Sequence, residues 1–234
     1  MKSCPACGVE QGKSSVGSSA PWDNQHSLRD GARRSAPRPS AGRHGQDTIV
    51  TDPFFTEMPK FFNLTFKELL AAKHPTAWLE FETGEITEAE CNAKFFLDGR
   101  EFNGDALRAM MIASYRYLDG MEELLVRLKA AGYEIHALSN YPTWYECIEE
   151  KLHLSQHLEW TFVSCVGPMK GHRKPSRAAY EAVISQLQLP PSQLIFVDDR
   201  QVNIDGAKAV GLDALLFKNA ATLEAQLLER GLVF

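Results

Sequence analysis

From Leu118 to the C-terminus the apolar pattern of this chain changes period again and again, and that alternation restricts the fold more than any other feature. Met121, Leu124, Leu125 and Leu128 make one helical face, which Gly132 stops. Tyr133 to Leu138 reads as a strand, 142–152 as a helix, and Trp160 to Val166 as a second strand. Tyr180, Val183, Ile184 and Leu187 mark a further helix, ended by Pro190-Pro191. A strand over 194–198, a helix over 203–211, a short strand at Ala214–Phe217 and a last helix to about Arg230 complete the series. Strands and helices alternating at these lengths predict an α/β fold with a Rossmann-like parallel sheet and right-handed crossovers.

The residues before Leu118 behave differently. Phe62, Phe66, Leu69 and Leu70 lie at helical spacing within 58–73, Thr87 to Glu90 has the form of a capping box opening a helix to about Leu97, and 104–115 is a third helical stretch. No strand is evident there, so 54–116 is expected to be a helical module and 117–234 the sheet-containing core. Residues 1–46 are rich in Ser, Gly, Pro and Arg without apolar periodicity, and are expected to be a disordered leader. They hold seven Lys/Arg and three Asp/Glu, a net of +4 against −5 for the whole chain, so the remainder carries −9. An Arg- and Ser-rich, acid-poor start also suits an organelle transit peptide. The net charge gives no sign of nucleic-acid binding, and no apolar run is long enough to cross a bilayer. Five scattered cysteines argue for a reducing compartment; Cys4-Pro-Ala-Cys7 lacks the second ligand pair of a zinc site.

Candidate chemistry collects where the strands end. In a parallel sheet the loops at the carboxyl ends of the strands share one rim, which is where ligands bind. Ser139-Asn140 follows the first strand, Arg173-Lys174-Pro175 lies in the loop after the second, and Asp198-Asp199 follows the third. Adjacent carboxylates at one strand tip repel each other and call for a cation. A hydroxyl, an ammonium and an acid pair on one rim suit a phosphate ester with a divalent metal. Ser139 and Asn140 would bind phosphoryl oxygens, Lys174 would neutralise charge, and Asp198 with Asp199 would hold the metal. Each element taken singly also reads as ordinary turn chemistry; His136 reads as a core histidine and His172 as a loop residue.

This ordered set resembles the haloacid dehalogenase (HAD) superfamily of phosphohydrolases. Ser139 matches its second motif, Lys174 its third, and Asp198-Asp199 its fourth; Asn203, Ala207 and Gly211 fit the helix after the fourth. The helical module lies where that superfamily inserts a cap. More narrowly, Asp47 to Phe54, Lys73-His-Pro75 with Trp78 and Glu80, Phe96 to Arg100, Tyr117 to Met121, and Ser139 to Pro142 with Trp144 are similar to the plastid flavin mononucleotide (FMN) hydrolases of plants and green algae, over about residues 47–230. The resemblance implies Mg²⁺-dependent hydrolysis of FMN to riboflavin and phosphate in the chloroplast, with the cytoplasm as the alternative. It also implies a cap closing over the flavin, with Trp78, Tyr115, Tyr117 or Trp144 stacking on its ring and Asn203 near the substrate. A riboflavin-pathway ribityl phosphate or another small phosphate ester is the alternative substrate.

One part of the resemblance fails. The superfamily's first motif is an apolar strand, a nucleophilic Asp, often a second Asp two residues on, and a Thr at the fourth position beyond. Aligning that Thr with Thr48 places His44 and Gln46 where the acids belong, and Pro37 to Arg43 has no strand character. Without the carboxylate no aspartyl-phosphate forms. Asp47, with Thr51 four residues on, is the substitute nucleophile the sequence offers. The first central strand is expected to be absent or degraded, with 47–53 a remnant of the motif. Two accounts stay open: an aberrant product whose 5′ coding segment replaced the strand, or a catalytically silent homologue that binds flavin or phosphate.

Overall fold

The computed structural model describes residues 47–234. The expected fate of 1–46, the Cys4/Cys7 pair, His44, Gln46 and the 37–44 strand position lie outside the described residues.

Residues 53–114 are helical. A 3-10 turn at Pro53–Phe55 leads into α1 (Glu57–Phe61), α2 (Phe66–Ala72), α3 (Ala77–Glu82), α4 (Glu88–Lys94) and α5 (Gly104–Ser114). The single helix expected over 58–73 is two, because the chain turns at Asn63 with φ of 53° and Thr65 starts α2 afresh. Thr65 and Thr87 each accept from the backbone N–H three residues on, while Glu68 and Glu90 reach back to the Thr N–H groups. The second capping box is the one the sequence shows; α4 ends at Lys94 rather than Leu97. Helix α3 has no side-chain cap and only six residues, which is why its period escapes detection.

The second half alternates as expected: α6 (Met121–Ala130), β1 (His136–Ser139), α7 (Tyr145–Leu152), β2 (Glu159–Val163), α8 (Arg177–Leu187), β3 (Ile195–Asp198), α9 (Gln201–Lys208), β4 (Asp213–Leu216) and α10 (Ala220–Glu229). The strands are shorter than the apolar runs that announce them. β1 begins at His136, not Tyr133, and β2 stops at Val163, where Ser164 to Val166 turn away.

The sheet is divided. β1 pairs with β2 and β3 with β4, both in parallel, and no ladder joins β1 to β3 among the described residues. In β2 and β4, Phe162 and Val163 are 0% exposed and Ala214 and Leu215 are 5% and 3% exposed. In β1 and β3, Leu138, Ile195 and Val197 are only half-buried. Ala137 of β1 and Phe196 of β3, 9% and 8% exposed, supply the covered faces of those two strands.

Near this division, residues 49–51 run beside 116–118: Val50 bridges Tyr117 in antiparallel fashion, Thr51 N–H donates to Arg116 O, and Leu118 N–H donates to Ile49 O. This short ladder ties the start of the described chain to the point where it leaves the helices for α6. Ile49 packs both against the aromatic cluster of the helical half and against the Met121/Leu124/Leu215 cluster of the sheet half.

Candidate active site

Lys174 is the centre of the rim. It lies in the loop before α8 and is 9% exposed. Its Nζ donates to Leu138 O at 2.6 Å and to Asp198 Oδ2 at 2.7 Å, so one ammonium joins the carboxyl ends of β1 and β3 across the divided sheet. Its main chain is clamped as well: Lys174 N–H donates to Asn140 Oδ1 at 2.7 Å, and Asn140 Nδ2 donates to Lys174 O at 2.8 Å. A lysine ammonium has three donors, two of which are used here. Ser139, the last residue of β1, is half-buried beside it.

The Asp198 carboxylate is satisfied on both oxygens. Besides Lys174 on Oδ2, Oδ1 accepts from Arg200 N–H at 2.9 Å and from Asn203 Nδ2 at 2.8 Å. Asn203 is in turn fixed from behind by Tyr180, whose hydroxyl donates to Asn203 O at 2.7 Å. Sequence places Asn203 in the helix after the acid pair; the structure shows why it belongs there. At 2% exposure it orients Asp198 and presents no surface to a substrate, which corrects its expected contact with one.

Asp199 has no such company. Its carboxyl is pushed up to about 6, first by burial, then by the charges of Asp198 and, more weakly, Asp47. Asp47 and Asp52 are each raised to about 6, with burial again the main cause. Asp47 Oδ2 accepts from Asp52 N–H at 2.6 Å, and Asp52 Oδ1 caps the 53–55 turn through Phe54 N–H at 2.9 Å. The rim therefore has a compensated side built on Lys174 and an acidic side built on Asp47, Asp52 and Asp199. No group of three His, Cys, Asp or Glu arranged to hold a metal occurs among the described residues. The donor chemistry still suits magnesium, a hard cation that takes carboxylate oxygens and keeps several waters. Asp199 supplies a carboxylate short of positive charge, and Asp198 lies next to it.

The aromatic residues divide. Trp78 is half-buried and stacked on Phe54, with ring centroids 6.1 Å apart, and it meets Tyr141 edge-on at 6.2 Å. Trp144 is 3% exposed and packs edge-on against Trp78 and Phe81. Tyr115 is 2% exposed. Trp144 and Tyr115 are thus core in this structure, contrary to their expected place on a ligand ring. Tyr117 donates its hydroxyl to Leu152 O at 3.1 Å, which ties it to the end of α7. Two residues to which sequence reasoning gave no role, Tyr141 and Glu82, stand at the rim. Tyr141 shares a 2.7 Å hydroxyl contact with Tyr115 and lies in the field of Asp52 and Asp47. Glu82 and Arg173 pair beside Lys174. Arg173 adjoins Lys174 in sequence, but no pattern marks Glu82.

Comparison with known proteins agrees with this geometry. The haloacid dehalogenase-like hydrolase family model matches residues 52–211. This chain belongs to the haloacid dehalogenase-like hydrolases. The family match begins downstream of His44, where the first motif would lie. The chain is 47% identical over 186 residues to flavin mononucleotide hydrolase 1, chloroplastic, of Arabidopsis thaliana, covering 80% of this chain and 75% of that protein. It is 27% identical over 167 residues to the sesquiterpene phosphatase astK of Aspergillus oryzae, covering 65% and 78%. A HAD family enzyme from Bacteroides thetaiotaomicron, solved as a magnesium complex, superposes with a TM-score of 0.62 at 19% identity, covering 77% of this chain and 92% of that one. That likeness carries the fold. The family makes this a phosphohydrolase lineage.

Proposed function

We propose that the rim binds the phosphate of FMN and that this chain is an FMN phosphohydrolase whose turnover is impaired at the nucleophile. The observation that carries the reading is Lys174, held on three sides and spanning the ends of β1 and β3 with a donor to spare. The high identity to a plastid FMN hydrolase supports FMN as the substrate and the plastid as the location. Lys174 and Ser139 would hold phosphoryl oxygens, and Asn140 would keep the lysine loop in place. Asp198 and Asp199 would hold Mg²⁺, which when bound would neutralise phosphate charge. Residues 54–116 would act as the cap over the flavin, with Trp78 as the aromatic side chain still partly open.

Asp47, with Thr51 four residues on and its Oδ2 held by Asp52 N–H at 2.6 Å, is taken as the substitute nucleophile. It would attack phosphorus to form an aspartyl-phosphate while the P–O bond to riboflavin breaks and the leaving alkoxide takes a proton from water; a second water would then hydrolyse the aspartyl-phosphate to release phosphate. Losing a nucleophile costs on the order of 10⁴ to 10⁶ in kcat. The chain as written is expected to bind FMN and to release riboflavin slowly with Mg²⁺, and Asp47→Asn is expected to abolish that release. FMN affinity unchanged by Lys174→Met would overturn the phosphate assignment. The second reading, a catalytically silent flavin- or phosphate-binding homologue, rests on the same Lys174 geometry with His44 and Gln46 standing where the acids of the first motif belong. FMN binding with no riboflavin release, in the chain and in Asp47→Asn alike, would select it.

A further inference from the structure

We propose that Glu82 is a positioning residue that couples docking of the helical half to placement of Lys174. Glu82 ends α3 and is 4% exposed, an unusual place for a carboxylate without a counter-charge. Its Oε1 accepts from Arg173 Nε at 3.0 Å and Nη2 at 2.8 Å. Its own carbonyl accepts from Ser164 Oγ at 2.5 Å, and that same hydroxyl oxygen accepts from Tyr141 N–H at 3.0 Å. One residue of the helical half thus holds the loop after β1 through Tyr141, the loop after β2 through Ser164, and the lysine loop through Arg173.

Gly84 makes the close approach possible. Its φ is +73°, and a Cβ there would lie 2.7 Å from Cys165 O, so the chain after α3 lies directly on the loop after β2. The charges facing Glu82 are Arg173, Lys174 and Arg200 on the cationic side and Asp52 on the anionic side. Arg173 is spent on Glu82 and adjoins the residue whose ammonium spans the divided sheet. A buried carboxylate with a two-donor partner is costly to break, because either group alone is left charged and desolvated. The helical half therefore cannot lift from the rim without releasing the loop that carries Lys174.

The inference rests on the phosphate reading for its ligand readout but not for its structural one. The full chain, Glu82→Gln, Arg173→Gln and the double variant are compared by hydrogen exchange over 77–84 and 170–176, and by FMN affinity from flavin fluorescence. Glu82→Gln keeps size and hydrogen bonding and removes the charge. The expected result is faster exchange in both segments in either single variant. FMN affinity should fall about tenfold, and the double variant should be no worse than the singles, as for one coupled unit. Exchange in 170–176 that stays unchanged in Glu82→Gln would overturn the proposal, as would single-variant effects on exchange that simply add. A chain that binds no FMN but shows the coupled exchange would sink the phosphate reading and leave the positioning role standing.

Discussion

The two sides of the rim differ in how their charges are answered. On the Lys174 side each buried charge has a partner in place: the ammonium has Leu138 O and Asp198, and the carboxylate of Asp198 also has Arg200 N–H and Asn203. On the other side, Asp47, Asp52 and Asp199 are crowded and partly desolvated, and each carboxyl is raised to about 6. The compensated side comes from the loops after β1, β2 and β3, which are intact. The contrast teaches that buried charges on one rim are answered only where a partner group is supplied by a neighbouring loop, as Lys174 is for Asp198.

The comparison breaks most sharply at Lys174. Lys174→Met leaves Asp198 buried and unpaired, with a side chain 4% exposed, and should cost about 3–5 kcal/mol in urea unfolding. A loss under about 1 kcal/mol would mean that the compensated side is not what holds β1 to β3. Next in size is the contrast between a fully covered and a half-covered strand leucine. Leu215→Ala in β4, where the side chain is 3% exposed, should cost about 2–5 kcal/mol. Leu138→Ala in β1, where the side chain is half-buried, should cost less than half as much, and equal losses would show that Leu138 is as well covered as Leu215.

The acidic side should answer to pH. A carboxyl whose folded pKa lies above its unfolded value near 3.8 disfavours the folded state once it ionises there. Asp47 and Asp52, both at about 6, therefore favour the folded state most below pH 4. That contribution declines as pH rises from about 4 to 6 and is gone above 7. The urea midpoint is expected to rise when pH drops from 7 to 5, and Asp52→Asn should flatten the rise; a midpoint that falls over that interval would contradict the acidic side as described. The smallest effect is expected far from the rim, where Thr87→Ala removes the cap of α4 and should cost about 1 kcal/mol.

Much of this was legible in the sequence, and the illegible part has a physical pattern. The alternation after Leu118 gave the order of β1 to β4 and α6 to α10, since each element buries an amphipathic or apolar segment of its own. The positions of Ser139, Asn140, Lys174 and Asp198 were legible because each ends a strand or stands in the loop that follows one. What was not legible depends on contacts between distant segments. Trp144, Tyr115 and Asn203 looked like ligand contacts, and packing made them interior. The helix over 58–73 looked continuous, and a left-handed residue at Asn63 broke it.

The sequence by itself determined the fold class and the family, because these reside in local pattern and residue identity. Only the tertiary structure decided that the described sheet stands as two pairs, that Lys174 spans them, and that Glu82 reaches from the helices to Arg173. Such facts arise where residues 36 or 91 positions apart come within hydrogen-bonding distance, as Lys174 does with Leu138 and Arg173 with Glu82. No periodicity along the chain encodes a separation of that kind.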